Sequence, residues 1–198
     1  MEKKLTKREK ILGAALELFS QKGYDATTID EIGDAVGMKG PALYYYFRGK
    51  EDLLEGLIEA VGQHYRANFG SADQLDHFPD TMDEYMEVCM KRVDFTIHDP
   101  VIRQVRRMLT MEQFRNETLK ALATKYQLEG IAEINKVILE HLARKGVVNG
   151  SDTDMMAFEL TTPVSMLIQV LDREPEKEEA IVGWIRKHFD HFARVYSA

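Results

Sequence analysis

The sequence predicts an all-α protein of about nine helices. Apolar residues recur at three- and four-residue spacings along the chain, and the alternation typical of strands is absent. Capping residues, glycines and prolines divide these periodic stretches into separate helices. With 44% hydrophobic and 30% charged residues, the composition is that of a globular protein with a buried core.

The first predicted helix opens at the capping-box pair Thr6 and Glu9 and ends at Gly23. Its apolar face includes Leu16 and Phe19. Five basic residues precede or begin this helix, and they are interpreted either as an arm that contacts phosphates or as a frayed, solvated terminus. They are Lys3, Lys4, Lys7, Arg8 and Lys10.

Residues 28–47 predict two short helices joined by a tight turn. Thr28 and Glu31 have capping-box spacing, Gly37 suits the end of the first helix, and Gly40 and Pro41 suit the start of the second. Such a pair is typical of a helix-turn-helix, whose second helix enters the DNA major groove. The alternative is a purely structural hairpin. Three consecutive tyrosines, Tyr44–Tyr46, favour the first interpretation because they cannot all be buried on so short a helix.

The remaining helices follow from the same signals. A long helix begins near Gly49 or Lys50 and runs to about Phe69, and a loop covers Gly70 to Pro79. Further helices begin at Asp80 or Thr81, after Asp99, at Glu112, at Ser151 or Asp152, and after Pro175. The stretch from Glu112 to about Lys145 is long enough to be broken, and the predicted position of the break is near Asn116 or Gly130.

The run TTIDEIGDAVGMKGPALYYYFRGKEDLLEGL resembles the DNA-binding segment of the tetracycline-repressor (TetR) family. The resemblance covers the first quarter of the chain. It rests on Thr28, Ile32, Gly37, Leu43, Tyr44, Phe47, Lys50 and Leu53. The chain departs from the family pattern at Lys39, Pro41 and Tyr46, where the family often has Ser or Thr, Gly, and His. These are contact-surface positions, so they bear on the DNA sequence that is read and not on the fold.

The resemblance implies a helix-turn-helix DNA-binding domain in residues 1–49 and a helical ligand-binding and dimerisation domain in residues 50–198. Thr28, Tyr44, Tyr46 and Lys50 are predicted to contact phosphates. Lys39, Ala42 and Tyr45 are predicted to face bases, with Gly40 and Pro41 allowing close backbone approach. The predicted partner is a double-stranded, pseudo-palindromic operator, which a repressor would bind as a dimer.

The charge distribution is compatible with this interpretation. Residues 1–50 carry nine Lys and Arg against seven Asp and Glu, whereas the remainder carries seventeen against twenty-six. A mildly basic head can neutralise phosphates while an acidic body is repelled from them. A contribution to solubility alone is the alternative explanation.

The final predicted helix has apolar residues on two sides, which indicates burial on two sides. We therefore predict an isologous homodimer through the last two helices, as the family resemblance also implies. A fully internal helix is the alternative. The predicted interface comprises Leu167, Val170, Ile181, Trp184, Ile185, His188, His191 and Val195.

Most of the ten methionines fall in helices of the body, where flexible, polarisable side chains suit an adaptable pocket or an ordinary core. The family resemblance favours a pocket for an apolar or amphipathic small-molecule effector. Its predicted lining is Met86, Met90, Met108, Met111, Phe114, Phe158, Thr162 and Met166.

Other classes of protein receive little support from the sequence. No catalytic motif or cofactor signature is present, so no enzyme is predicted, and His188 and His191 lack further ligands for a metal. A single cysteine and the lack of a signal peptide or long apolar run predict a cytoplasmic protein without a membrane partner. The alternative function is an all-α interaction module that docks a protein through Tyr44–Tyr46.

Overall fold

The computed structural model describes residues 5–69, 78–150 and 152–198. The predicted basic residues Lys3 and Lys4, and the predicted loop at residues 70–77, lie outside this part of the chain. The helices are α1 (Lys7–Lys22), α2 (Ile29–Ala35), α3 (Gly40–Leu43), α4 (Lys50–Phe69), α5 (Met82–His98), α6 (Pro100–Glu112), α7 (Glu117–Thr124), α8 (Gly130–Arg144), α9 (Thr153–Arg173) and α10 (Glu178–Tyr196).

The all-α prediction is confirmed. In the described ranges, β-structure is limited to an isolated bridge between Val148 and Ser197. The predicted breaks in the long stretch after Glu112 are also present. Asn116 accepts a hydrogen bond from the Leu119 amide at 3.1 Å at the start of α7, and a π-helical turn, Lys125–Glu129, joins α7 to α8 before Gly130.

The helix starts follow the predicted capping chemistry. Thr6 with Glu9 and Thr28 with Glu31 each form a complete capping box, in which the threonine side chain accepts from the glutamate amide and the glutamate side chain accepts in return. Thr81 caps α5, and Asp152 caps α9. These side chains satisfy amide groups that a helix leaves unpaired in its first turn.

The chain divides into two compact units. The first is formed by residues up to Asn68 together with Pro100–Lys120, and the second by Phe69–Asp99 with Ala121–Ala198. In the first unit α1 packs on α2 and α6, around the buried residues Ile11, Leu16, Phe19, Ile32, Leu43, Phe47, Leu53 and Leu57. The predicted domain boundary between residues 49 and 50 remains a prediction.

The second unit has its own core. α8 packs along α9, and α10 packs on both α5 and α9. Its largest buried side chains include Tyr85, Ile138, Leu139, Leu142, Leu160, Ile185, Phe189 and Phe192. Pro163 lies inside α9, which is helical throughout.

Alanine substitutions at two glycines test whether the turn of the helix-turn-helix needs a left-handed backbone at Gly37. Neither substitution causes a steric clash, so packing does not affect the comparison. A Cβ at Gly13, inside α1, or at Gly37, with φ of +67°, would meet no atom within 4 Å. Gly13→Ala should therefore stabilise the chain by about 0.5–1 kcal/mol because glycine costs that much in a helix interior. Gly37→Ala should destabilise it by about 1–2 kcal/mol because a side chain disfavours the left-handed region.

Urea unfolding of the full chain measures both changes. Equal effects of the two substitutions would show that the turn at Gly37 does not depend on its left-handed backbone.

Candidate nucleic-acid interface

The turn between α2 and α3 is closed by two backbone hydrogen bonds. The Met38 amide donates to the Gly33 carbonyl at 2.8 Å, and the Gly37 amide donates to the Asp34 carbonyl at 3.1 Å. This is a Schellman arrangement, which needs a left-handed residue at Gly37. The turn therefore fixes the direction in which the chain leaves α2 and enters α3.

The segment after this turn is held by two buried side chains. Leu43 is the last residue of α3 and Phe47 follows it by four residues, and both are almost fully buried. The amides of Tyr46 and Phe47 donate to the Leu43 carbonyl at 2.9 and 3.0 Å. The segment is thus anchored from one side, and its opposite side is left at the surface.

The outward side carries most of the residues predicted to contact DNA. Lys39, Pro41 and Ala42 are exposed, and Tyr44 and Tyr45 are 57% and 87% exposed. Tyr46 is half-buried and packs edge-on against the Tyr45 ring, with centroids 5.2 Å apart. The structure thus brings together a surface of two large aromatic side chains, a lysine and small residues, which we call the Tyr45 surface (Lys39, Pro41, Ala42, Tyr44, Tyr45).

Thr28 is exposed at the start of α2, but its hydroxyl is occupied. It accepts from the Glu31 amide at 3.3 Å and donates to a carboxylate oxygen of Glu31 at 2.9 Å. Hydrogen bonds from Lys22 and then Thr28 lower the pKa of Glu31 to about 2, so this carboxylate is ionised at neutral pH. The Thr28 side chain therefore serves first as a helix cap.

Lys50, which was predicted to contact a phosphate, is engaged within the protein in this structure. Its ammonium group donates to the backbone carbonyls of Tyr24, Asp25 and Thr27 at 2.8, 3.2 and 3.1 Å. It also lies 4.4 Å from the centroid of the Tyr24 ring. An ammonium group has three donors, so all of them are used within the protein.

The turn between α1 and α2, whose carbonyls bind Lys50, is also held by a residue of α6. Glu112, the last residue of α6, is 2% exposed, and its carboxylate accepts from the Tyr24 amide at 3.0 Å. A Cβ at Gly23 would lie 2.4 Å from the same carboxylate oxygen. Glycine at position 23 thus lets a buried acidic group reach the turn.

The predicted dimer residues separate into two groups. Trp184 is 62% and Val195 50% exposed on α10, and His191 is exposed on the same side. Leu167, Val170 and His188 are half-buried, and His188 Nε2 lies 3.3 Å from the Leu160 carbonyl oxygen of the same protomer.

Two members of the dimer prediction are corrected. Ile181 and Ile185 are 5% and 0% exposed and belong to the core of the second unit. They lie on the stripe of α10 that faces its own protomer, so they present no surface to a second copy. The stripe of α10 through Trp184 and Val195 is the one that remains exposed to solvent.

The predicted effector pocket is not assembled as a group. Met86 and Met90 pack against the core of the second unit, and Met108 is buried in α6 of the first unit. Met111 and Thr162 are half-buried. Phe114, Phe158 and Met166 are 90%, 48% and 59% exposed, so they do not line an interior space of the protomer.

Sequence reasoning missed one buried charged residue, Arg92 in α5. Arg92 is 9% exposed, and its Nε has no hydrogen-bond partner among the described residues. Its guanidinium lies over the ring of Phe69, whose centroid is 6.0 Å from Cζ, and such a contact contributes about 0.5–2 kcal/mol. A visible signal was present, because Arg92 falls seven residues after Tyr85 on the apolar stripe of α5.

Metal and membrane interpretations receive no support within the described ranges. No group of three or more His, Cys, Asp or Glu side chains is arranged to hold a metal ion there. Nor does any of the described helices combine the length and hydropathy needed to cross a bilayer.

The arrangement of α1 to α3 defines a helix-turn-helix domain that presents the Tyr45 surface. Residues 11–57 match the family model described as bacterial regulatory proteins, tetR family. This match confirms, for the amino-terminal quarter of the chain, the resemblance that the sequence predicted.

Similarity to individual proteins supports the same assignment. The biofilm operon icaADBC HTH-type negative transcriptional regulator IcaR of Staphylococcus epidermidis is 42% identical over 52 residues, which are 26% of this chain and 28% of the relative. The chain is thus matched over little more than a quarter of that protein's length.

Solved structures extend the likeness of the fold to nearly the whole chain. SmeT, the repressor of the Stenotrophomonas maltophilia multidrug efflux pump SmeDEF, superposes with a TM-score of 0.74 at 19% identity, covering 98% of this chain and 91% of SmeT. The fatty acid degradation regulator FadR of Bacillus halodurans gives 0.73 at 18% identity and covers 97% of each chain.

The two lysines of the site provide a test of the assignment made for Lys50. Lys50→Met removes three hydrogen bonds from a charged donor and should destabilise the full chain by about 1–3 kcal/mol in urea unfolding. Lys39→Met removes an exposed ammonium group and should leave the unfolding midpoint unchanged. If Lys50→Met had no effect on stability, the Lys50 contacts would be dispensable and the earlier phosphate assignment would regain support.

Proposed function

We propose that the protein is a dimeric transcriptional regulator, most simply a repressor, that binds a pseudo-palindromic operator. The observation that carries this proposal is the Tyr45 surface, presented outward on a segment locked by Leu43 and Phe47 in a domain of the tetR family. Exposed aromatic side chains of this size indicate a partner surface. As a protein that acts on chromosomal DNA, it would work in the cytoplasm.

In the proposed complex, α3 and the tyrosines that follow it enter the major groove. Lys39 faces guanine acceptors, Ala42 contacts a thymine methyl group, and Tyr45 lies against base edges. Tyr44 and the half-buried Tyr46 contact phosphates at the groove edge, and Gly40 and Pro41 let the backbone approach. Thr28 remains a proposed phosphate neighbour, although the ionised Glu31 beside it opposes a second negative charge.

The proposed dimer uses the exposed apolar side chains of the last two long helices. Met155, Phe158 and Met166 on α9 and Trp184 and Val195 on α10 are each about half exposed or more. Two copies of this surface would form a four-helix bundle about a two-fold axis. Such a dimer would set the two reading helices about 34–36 Å apart, or a multiple of that distance.

A small-molecule effector is proposed to control this spacing. Helix α4 begins at Lys50 in the first unit and ends at Phe69 in the second. A ligand that favours one setting of α4 would shift the population of DNA-competent dimers, whereas a ligand without such a preference would shift nothing.

A protein-docking role for Tyr44–Tyr46 is the rival function. Salt separates the two, because contacts to phosphates weaken steeply as salt rises, whereas an aromatic docking surface responds little. Selection of bound duplexes from a random pool is the direct test, and recovery of a two-fold-related sequence is the expected result. Failure to enrich any duplex would contradict the proposed function.

On the selected duplex, Lys39→Met should weaken binding by about 1–3 kcal/mol and relax the preference at one base pair of each half-site. Lys91→Met is the matched control, because it removes the same charge from an exposed position on α5. Mobility-shift titration at several salt concentrations measures both variants. Equal loss in the two variants would mean that only net charge matters and would remove Lys39 from the reading surface.

The dimer has a separate test. Trp184→Glu places a charge in the centre of the proposed interface and should convert the chain to a monomer at concentrations where the unaltered chain is dimeric. Arg186→Glu, at an exposed position on another side of α10, should leave the dimer intact. Light scattering after size exclusion gives the mass of each, and a dimeric Trp184→Glu chain would place the interface elsewhere.

A further inference from the structure

The imidazole ring of His98, the last residue of α5, lies between oxygen atoms of two helices. Its Nδ1 is 3.0 Å from the backbone carbonyl oxygen of Asp94 and 3.1 Å from a carboxylate oxygen of the same residue. Its Nε2 is 3.0 Å from a carboxylate oxygen of Glu178, the first residue of α10. Both ring nitrogens of His98 thus face oxygen atoms.

These partners require both ring nitrogens of His98 to donate. A backbone carbonyl accepts hydrogen bonds and cannot donate, and the same holds for an ionised carboxylate. A neutral imidazole carries a single N–H, so one of its two nitrogens would face an acceptor as another acceptor. Only the imidazolium form, in which both nitrogens donate, satisfies the arrangement on both sides of the ring.

The charges around the ring favour the same form. The hydrogen bond to Glu178 raises the pKa of His98, desolvation opposes this effect, and the carbonyl and carboxylate of Asp94 add to it. Lys177, the basic residue next to Glu178, is paired with Glu174, which leaves the Glu178 carboxylate to His98. A positive charge at the carboxyl end of α5 is also favoured by the helix dipole.

The position of this contact in the chain gives it a conformational role. Helix α5 packs on α10 within the second unit. The chain leaves that unit at Asp99, directly after His98, and Pro100 begins α6 in the first unit. The imidazole therefore ties the last turn of α5 to α10 just before the chain passes from one unit to the other.

We propose that His98 is a pH-sensitive clasp, which in its charged form holds the end of α5 against the start of α10 and in its neutral form releases it. Because the pKa of His98 is raised, the clasp is complete below the ordinary histidine pKa of about 6.5 and is lost as the pH rises through the raised value. Asp94, His98 and Glu178 all lie in the second unit, so this inference does not depend on the proposed binding of DNA.

The first experiment measures the titration of His98 directly. Proton NMR of the full chain follows each histidine ring through a pH titration, and the resonance that is lost in His98→Gln identifies His98. Its midpoint is expected above the ordinary value of about 6.5. Glu178→Gln should lower this midpoint because it removes the partner of Nε2. Glu179→Gln is the matched control, since it removes an exposed carboxylate from the same turn of α10 and should change the midpoint far less.

The second experiment, amide hydrogen exchange, measures whether the clasp holds the end of α5. At about pH 6 the last turn of α5 should be protected about 2- to 5-fold more in the unaltered chain than in His98→Gln, as expected for an exposed ion pair. At about pH 9 the two chains should exchange alike, because histidine is then neutral. The first turn of α5, at the opposite end of the helix, is the internal reference.

Three results would each overturn the proposal. They are a His98 midpoint at or below the ordinary value, equal lowering of that midpoint by Glu178→Gln and Glu179→Gln, and equal protection of the last turn of α5 in the unaltered chain and His98→Gln at about pH 6. The last of these would show an ion pair at the surface that holds neither helix in place.

Discussion

The ammonium group of Lys50 fixes the helix-turn-helix unit, because three backbone carbonyls outside any helix converge on it. Those carbonyls belong to the turn between α1 and α2, and Lys50 begins α4. On its amide side, the same turn is held by the buried Glu112 carboxylate at the end of α6. The Lys50 ammonium group thus satisfies backbone carbonyls of the turn, and the Glu112 carboxylate satisfies a backbone amide. With both flanks of α2 and α3 tied to neighbouring helices, α3 keeps a defined orientation although it has only four residues.

Features that depend on a few consecutive residues were predictable from the sequence. The capping boxes at Thr6 and Thr28 and the left-handed turn at Gly37 were read correctly, because each is decided within about one helical turn. Burial of Leu43 and Phe47 also followed from their spacing. The same local reasoning placed both ends of α4. Features decided by distant parts of the chain were less accessible, and the partners of Lys50, more than twenty residues earlier in the sequence, are the clearest case.

The errors at the candidate sites have a common physical origin. A helical stripe shows that a set of residues shares a face, but it does not show what that face packs against. Ile181 and Ile185 were therefore assigned to a partner although they complete the core of their own protomer. Arg92 and Glu112 were overlooked for the converse reason, since counting apolar residues passes over a charged residue on the same stripe. A charge at a core position is informative because its burial must be compensated.

Two features of this chain are unfavourable for a protomer that has no partner. The tyrosines after α3 face solvent, and α9 and α10 leave large apolar side chains uncovered. Selection for the stability of an isolated protomer does not explain either surface. The two surfaces differ in chemistry, and the proposed function gives each a different partner: base edges and phosphates for the tyrosines, and a second copy of the same helices for the apolar side chains. Helix α4 begins at Lys50 in the first unit and ends at Phe69 in the second. It is therefore the element through which the proposed effector would act on DNA binding.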